Sequence, residues 1–269
     1  MKTLIIAAIF IIIAVATFFS QTKINNVMNT NKKTIVLVHG AWADASSWDK
    51  VIPLLEAEGH EVINVNLPGH GKDNTPIEKQ TLQGYADAVK NAIGTRTDVI
   101  LVAHSMSGMN ASLVAEQIPS QLNKVIYLSA FLPKDGESAF LISGRDKETV
   151  LPKYLIIDEK AGTGSFPLDE YIGFFAPDAT KEDKENLISN FRPEALAPLQ
   201  TAVTLTDKNF GQVNKIYIHD VDDIVVGYKL QQQMVKDAGI NKVYKLNSSH
   251  TPFFSIPNEL AEIIIKESN

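Results

Sequence analysis

Residues 101–110 read LVAHSMSGMN, a small-x-Ser-x-small run centred on Ser105 and entered from an apolar stretch. A nucleophilic serine at a sharp strand-to-helix turn usually carries glycines two residues to either side, as G-x-S-x-G. Here Ala103 and Ser107 take both places. At such a turn the incoming strand passes close to the outgoing helix, so the flanking residues must be small, and glycine is only the smallest choice. Alanine and serine come next, and the packing requirement survives. The competing reading is a plain helix cap, a position that serine favours in any case. Ser107 is a rival nucleophile, but it would lie inside the helix, with the bulky Met109 two residues on.

The neighbouring segments supply the context that the turn demands. DVILVA (98–103) predicts a strand and MSGMNASLVAEQIP (106–119) a helix. Upstream, TIVLVHG (34–40) reads as a buried strand, ASSWDKVIPLLEAEGH (45–60) as a helix closed by Gly59, and EVINVNLPGHG (61–71) as a strand and turn. QTLQGYADAVKNAIG (80–94) predicts a helix and KVIYLSAFLP (124–133) a strand. The strands are continuously apolar and alternate with helices, the pattern of an α/β fold whose mostly parallel sheet is covered on both faces. From 134 to about 200 the alternation stops, with polar helical pieces such as TKEDKENLISNF. That stretch is too long for an ordinary loop and predicts a cap over the carboxyl edge of the sheet, where open α/β sheets bind ligands. The alternation resumes with NKIYIHDVDD (214–223), a helix around 228–238, KVYKL (242–246) and a last helix at 257–267.

A serine hydroxyl needs a general base, and the base needs a carboxylate to fix its tautomer. Both arrive later in the chain. HDVDD (219–223) sits at a strand's carboxyl end and NSSHTPFF (247–254) follows the last strand, giving the order Ser, acid, His. His250 lies in a loop. The other histidines are poorly placed as bases: His39 and His104 adjoin motifs, His60 follows a helix, His70 lies in a turn and His219 in a predicted strand. HGAW after the first strand can aim a backbone N–H at a developing oxyanion, whereas the PGHG turn carries no evident chemistry. No H-x-x-H or H-E-x-x-H spacing points to zinc.

Composition closes off other classes. There is no cysteine, which excludes disulfides, thiolate catalysis and cysteine zinc sites. A net charge of −6 gives no electrostatic reason for a nucleic-acid partner. At the N-terminus, Lys2 precedes an apolar run from Leu4 to Phe19, short for a bilayer span, with an Ala14-Val15-Ala16 cleavage site. The expected organisation is a signal peptide at 1–21, a polar spacer at 22–33 and one domain at 34–269. Export to the periplasm or medium follows, the alternative being a membrane anchor through residues 4–19.

Taken together, VLVHGAWADASSWDKVIPLLEAEGHEVINVNLPGHG, ILVAHSMSGMNASLVAEQIP, VIYLSAFLP, KIYIHDVDDIVV and NSSHTPFFSIPNELAEII resemble the α/β-hydrolase superfamily. The likeness is to the branch of plant methyl esterases, hydroxynitrile lyases and their bacterial esterase relatives. It implies the α/β-hydrolase fold and cleavage of a small-molecule ester without metal or organic cofactor. It implies Ser105 as nucleophile, His250 as base, and the N–H groups of Ala41 and Met106 as oxyanion hole. The acid maps to Asp223, followed by the branch's apolar run, with Asp222 and Asp220 as near alternatives. The lyases carry a lysine after the catalytic histidine and a threonine in the oxyanion loop; Thr251 and Ala41 stand here, which favours ester hydrolysis. A lyase and a non-catalytic ligand binder are the rival functions. The aromatics Phe166, Tyr171, Phe174, Phe175, Phe191, Phe253 and Phe254 suit a substrate pocket or core packing equally.

Overall fold

The computed structural model describes residues 32–269. The expected signal peptide and residues 22–31 of the spacer lie outside them. In chain order the strands are β1 (Thr34–Val38), β2 (Glu61–Val65), β3 (Val99–His104), β4 (Leu122–Leu128), β5 (Ile156–Asp158), β6 (Thr163–Ser165), β7 (Glu194–Ala195), β8 (Asn214–Asp220) and β9 (Val243–Leu246). The helices are α1 (Ile52–Ala57), α2 (Leu82–Ile93), α3 (Ser107–Gln117), α4 (Ala139–Ser143), α5 (Leu151–Tyr154), α6 (Leu168–Phe175), α7 (Lys181–Asn190), α8 (Leu196–Gln200), α9 (Tyr228–Asp237), α10 (Pro252–Ser255) and α11 (Pro257–Ser268).

Six strands form one sheet in the order β2-β1-β3-β4-β8-β9. Every pairing in it is parallel. All six residues of β3 are buried, so this strand is covered on both faces. The edge strands β2 and β9 are only half-buried, as edges should be. Helices α1 and α11 pack together, as do α2 and α3. Local chemistry sets the helix ends. The Thr81 hydroxyl accepts the Gly84 N–H at 2.9 Å to start α2, and Gly94 at φ 61° stops it.

Two elements differ from the sequence reading. The 45–60 stretch is split into a 3-10 turn at Ala45–Trp48 and α1, which begins afresh with Pro53 in its first turn. The strand expected over 124–133 ends at Leu128, because Ser129 takes a φ of 40° and turns the chain.

Between β4 and β8, helices α4 to α8 and a three-stranded antiparallel sheet, β5-β6-β7, form the cap. It is bonded to the loops that leave the carboxyl ends of the main strands. The Val150 N–H donates to the Ile224 carbonyl (2.9 Å) and the Thr251 hydroxyl to that of Phe175 (3.1 Å). Tyr171 donates to the Trp42 carbonyl (3.1 Å). The cap's own core is aromatic: Phe166 and Phe175 pack on the Trp42 ring, at 4.8 and 6.2 Å, and the buried Phe174 and Tyr171 pack on them in turn.

At the turn from β3 into α3 the backbones approach closely. The Phe131 N–H bonds the Ser105 carbonyl at 3.0 Å, which brings the loop after β4 over the first turn of α3. A Cβ on Gly108 would lie 1.9 Å from the Phe131 carbonyl oxygen. Glycine is therefore required at 108, one position beyond Ser107. Gly108→Ala must displace backbone, and the expected loss of stability is roughly 1–3 kcal/mol or more, read as a lower melting temperature. A Gly108→Ala protein as stable as wild type would show that this contact is not tight.

Candidate active site

Ser105 sits at the tip of the turn with φ 55°, a left-handed conformation uncommon for a residue with a side chain. Its N–H is held by the Leu128 carbonyl at 3.2 Å. Ala103 and Ser107 are both fully buried at this crossing. The Ser107 hydroxyl donates to the His39 carbonyl, so it ties α3 to the loop after β1. It faces that carbonyl rather than the histidine that Ser105 meets. Gly40 in that loop is equally constrained, since a Cβ there would lie 2.8 Å from the Ser105 Cβ.

His250 reaches Ser105 from the loop after β9. Its Nε2 lies 2.9 Å from Ser105 Oγ, and its Nδ1 2.7 Å from Asp223 Oδ2. A carboxylate only accepts, so Nδ1 carries the proton and Nε2 faces the serine as an acceptor. The other Asp223 oxygen accepts the N–H groups of Val225 (2.7 Å) and Val226 (3.0 Å), and Gln231 reaches Oδ2 at 3.2 Å. Of the three aspartates in HDVDD, only Asp223 meets the histidine. Asp222 is exposed, and Asp220 is buried against the Ser129 hydroxyl at 2.5 Å, where loss of solvation pushes its carboxyl well above the usual range.

Beside this chain of contacts lies a cavity of about 350 Å³. Ser105, Ala41 and Met106 all face it, and its walls include Trp42, Phe131, Phe140, Leu155 and Val226. Among the described residues, no charged side chain lines it, and Ser105 and Ser143 supply its only hydroxyls. Among the described residues, neither the Ala41 nor the Met106 N–H has a hydrogen-bond acceptor. The arrangement can take a proton from Ser105 and receive negative charge on two free amides. The aromatics left open between pocket and core, Phe166, Tyr171, Phe174, Phe175, Phe191, Phe253 and Phe254, do not line the cavity; they are packing residues.

Several residues that sequence reasoning passed over frame this site. His104 donates from Nε2 to the His250 carbonyl at 2.8 Å, and its ring packs 4.9 Å from Phe253. Burial, then the neighbouring His250, holds its pKa well below the ordinary value, so it is a neutral tether. Asp178 of the cap accepts the Ser249 N–H at 3.0 Å, next to His250. His70, in the turn that looked chemically silent, has Nδ1 3.0 Å from the Pro68 carbonyl and Nε2 2.8 Å from Glu194 Oε2. A carbonyl and a carboxylate both accept, so this pair of contacts suits a doubly protonated ring, in line with the raised pKa of His70.

A profile described as the alpha/beta hydrolase family covers residues 35–263. The chain belongs to that family. Methylesterase 7 of Arabidopsis thaliana is 30% identical to this hydrolase over 88% of its chain and 96% of the relative's. Salicylic acid-binding protein 2 of Nicotiana tabacum is 29% identical over 87% and 96%. A pyrethroid hydrolase from Sphingobium faniae shares the fold of this hydrolase, with a TM-score of 0.75 at 24% identity over 88% of this chain and 97% of that one.

The His70–Glu194 pair gives the hydrolase a pH-dependent stability. Burial lowers the His70 pKa, but the Glu194 carboxylate more than offsets this, and the folded value lies above the ordinary 6.5. Folding thus tightens the proton on His70. Its contribution is complete below the unfolded value and is lost as pH rises through the folded one. His39 and His104, whose values are lowered, act in the opposite sense below about pH 6.5. The difference in unfolding free energy between wild type and His70→Asn isolates the pair. It should shrink as pH is raised above 6.5 in denaturant titrations, and a pH-independent difference would count against a charged His70.

Proposed function

We propose that the protein cleaves carboxylic esters through an acyl-enzyme on Ser105. The coarser assignment, a carboxylic ester hydrolase, is in keeping with its kinship to the methylesterases. The mechanism is supported above all by one continuous set of contacts, Asp223 to His250 to Ser105, ending at a cavity with two unengaged N–H groups.

Ser105 Oγ attacks the ester carbonyl while its proton passes to His250 Nε2. The carbonyl oxygen, now negative, accepts hydrogen bonds from the Ala41 and Met106 N–H groups, an effect worth roughly 3 kcal/mol per donor. Asp223 stabilises the imidazolium through Nδ1. The intermediate collapses, the C–O bond to the alcohol breaks, and His250 returns the proton to the departing oxygen. A water molecule then gives its proton to His250 and attacks the acyl group, releasing the acid and restoring the Ser105 hydroxyl.

The cavity lining narrows the substrate. With no charged or amide side chain among the described residues of its walls, a carboxylate or ammonium on the substrate would be buried unpaired at several kcal/mol. Small neutral esters with an apolar acyl or alcohol part fit best. A lyase that holds a cyanide leaving group on a cation finds no such group here, because Thr251 is buried with its hydroxyl committed to the Phe175 carbonyl.

Ser105→Ala should reduce turnover of a small neutral p-nitrophenyl ester by at least about 10⁴-fold and abolish fluorophosphonate labelling, with the fold intact. Asp223→Asn should cost on the order of 10⁴-fold in kcat. Asp222→Asn should leave kcat within a few-fold of wild type. Activity that survives Ser105→Ala, or that depends on Asp222 and not on Asp223, would refute the assignment.

A further inference from the structure

Glu194 is a carboxylate buried in the cap, on the two-residue strand β7, and the mechanism above does not use it. Three donors from distant parts of the chain converge on it. His70 Nε2 and the Trp42 backbone N–H reach Oε2 at 2.8 and 3.2 Å, and the Tyr85 hydroxyl reaches Oε1 at 2.9 Å. Trp42 immediately follows Ala41, which lines the cavity beside Ser105.

Trp42 holds a φ of 56°, which a bulky residue keeps only when its surroundings fix it. Here the cap fixes it at every polar atom. Its N–H goes to Glu194, its carbonyl accepts Tyr171 and its indole N–H donates to the Gly164 carbonyl at 2.8 Å. On the other side of Ala41, His39 accepts the Leu67 N–H on Nε2 at 3.1 Å and so carries its proton on Nδ1, which donates to the Gly40 carbonyl at 2.8 Å. In a trans peptide the C=O and N–H point in opposite directions. Holding the Gly40 carbonyl therefore turns the Ala41 N–H away from His39. The two peptide planes that flank Ala41 are thus pinned, one by His39 and one by Glu194.

We propose that Glu194, held by His70 and Tyr85, is a positioning residue for the oxyanion hole: by fixing the Trp42 N–H it holds the peptide plane that follows Ala41, so that Ala41, with His39 holding the plane before it, cannot swing its N–H out of line. Glu194 touches no reacting atom, and the inference rests on the assignment of Ala41 given above. It follows that the cap takes part in the chemical step through the backbone it holds, as well as through the cavity it roofs.

The test compares Glu194→Ala, Glu194→Gln and Tyr85→Phe with wild type in kcat, KM and affinity for an alkyl boronic acid, whose tetrahedral adduct on Ser105 places an oxygen in the oxyanion hole. For Glu194→Ala, kcat should fall roughly 10–100-fold with KM changed less than about twofold. Boronate affinity should fall by a comparable factor. Glu194→Gln keeps an acceptor for the Trp42 N–H and should recover most of both losses. Tyr85→Phe is the milder variant, and it decides the matter if Glu194→Ala does not fold: it should lose kcat and boronate affinity together, by a few-fold. Folded variants that match wild type in kcat and boronate affinity overturn the inference, as does a loss confined to KM. A wild type that neither turns over the ester nor binds the boronate instead sinks the hydrolase reading, and this inference with it.

Discussion

The Ser105 backbone is gripped from both sides by the strand and loop next to it. Its N–H is bonded to Leu128 at the end of β4, and its carbonyl to the Phe131 N–H just beyond. Those two bonds hold a side-chain-bearing residue at φ 55°, a conformation that costs of order 1 kcal/mol or more and persists only where the surroundings over-determine it. The rest of the site is arranged around this fixed point. Gly40 and Gly108 are glycines because the loop after β1 and the loop after β4 come too close to the turn for a Cβ. Ala103 and Ser107 are small for the same reason. The hydroxyl of Ser107 adds a bond to His39 that glycine could not make.

From that point the site is built outward in two directions, and the cap closes both. Toward His250, His104 holds the His250 carbonyl, while Asp178 and Phe175 of the cap hold Ser249 and Thr251 on either side of it. Toward the loop after β1, Glu194, Tyr171 and Gly164 hold Trp42. Each of these bonds is buried or nearly so, where a lost partner leaves a desolvated group behind and costs about 1–3 kcal/mol. The cap is therefore part of the frame that fixes Ser249, Thr251 and Trp42, the chain neighbours of His250 and Ala41. A clamp of this kind suits a reaction whose barrier depends on preorganised donors more than on large motions.

The fold was legible because its signals are local and repeated: apolar runs that form parallel strands, the central ones buried, separated by helical periodicity. The order Ser105, Asp223, His250 was legible for a related reason, since each residue stands in a loop at the carboxyl end of a strand. What could not be read is equally physical. Strands β5 to β7 are two or three residues long, and IID in β5 is exposed at all three positions, so no alternation marks them. Glu194 lies 152 residues from Trp42 and 124 from His70, and no spacing rule links residues that far apart. The PGHG turn read as silent because the partner that gives His70 its role comes from the cap. The split of the 45–60 helix did have a signal, Pro53, which apolar periodicity alone outweighed.

The central claim is a covalent one: an acyl group passes through Ser105 on its way to water. Mixing the enzyme with excess of a slowly deacylating neutral p-nitrophenyl ester, quenching in acid within milliseconds and measuring the mass of the protein and of the peptide containing Ser105 tests it directly. The account predicts a burst of p-nitrophenol close to one equivalent per enzyme, and a mass increase equal to the acyl group on that peptide. Steady turnover with no burst and no adduct, under conditions where deacylation is slow, would contradict it.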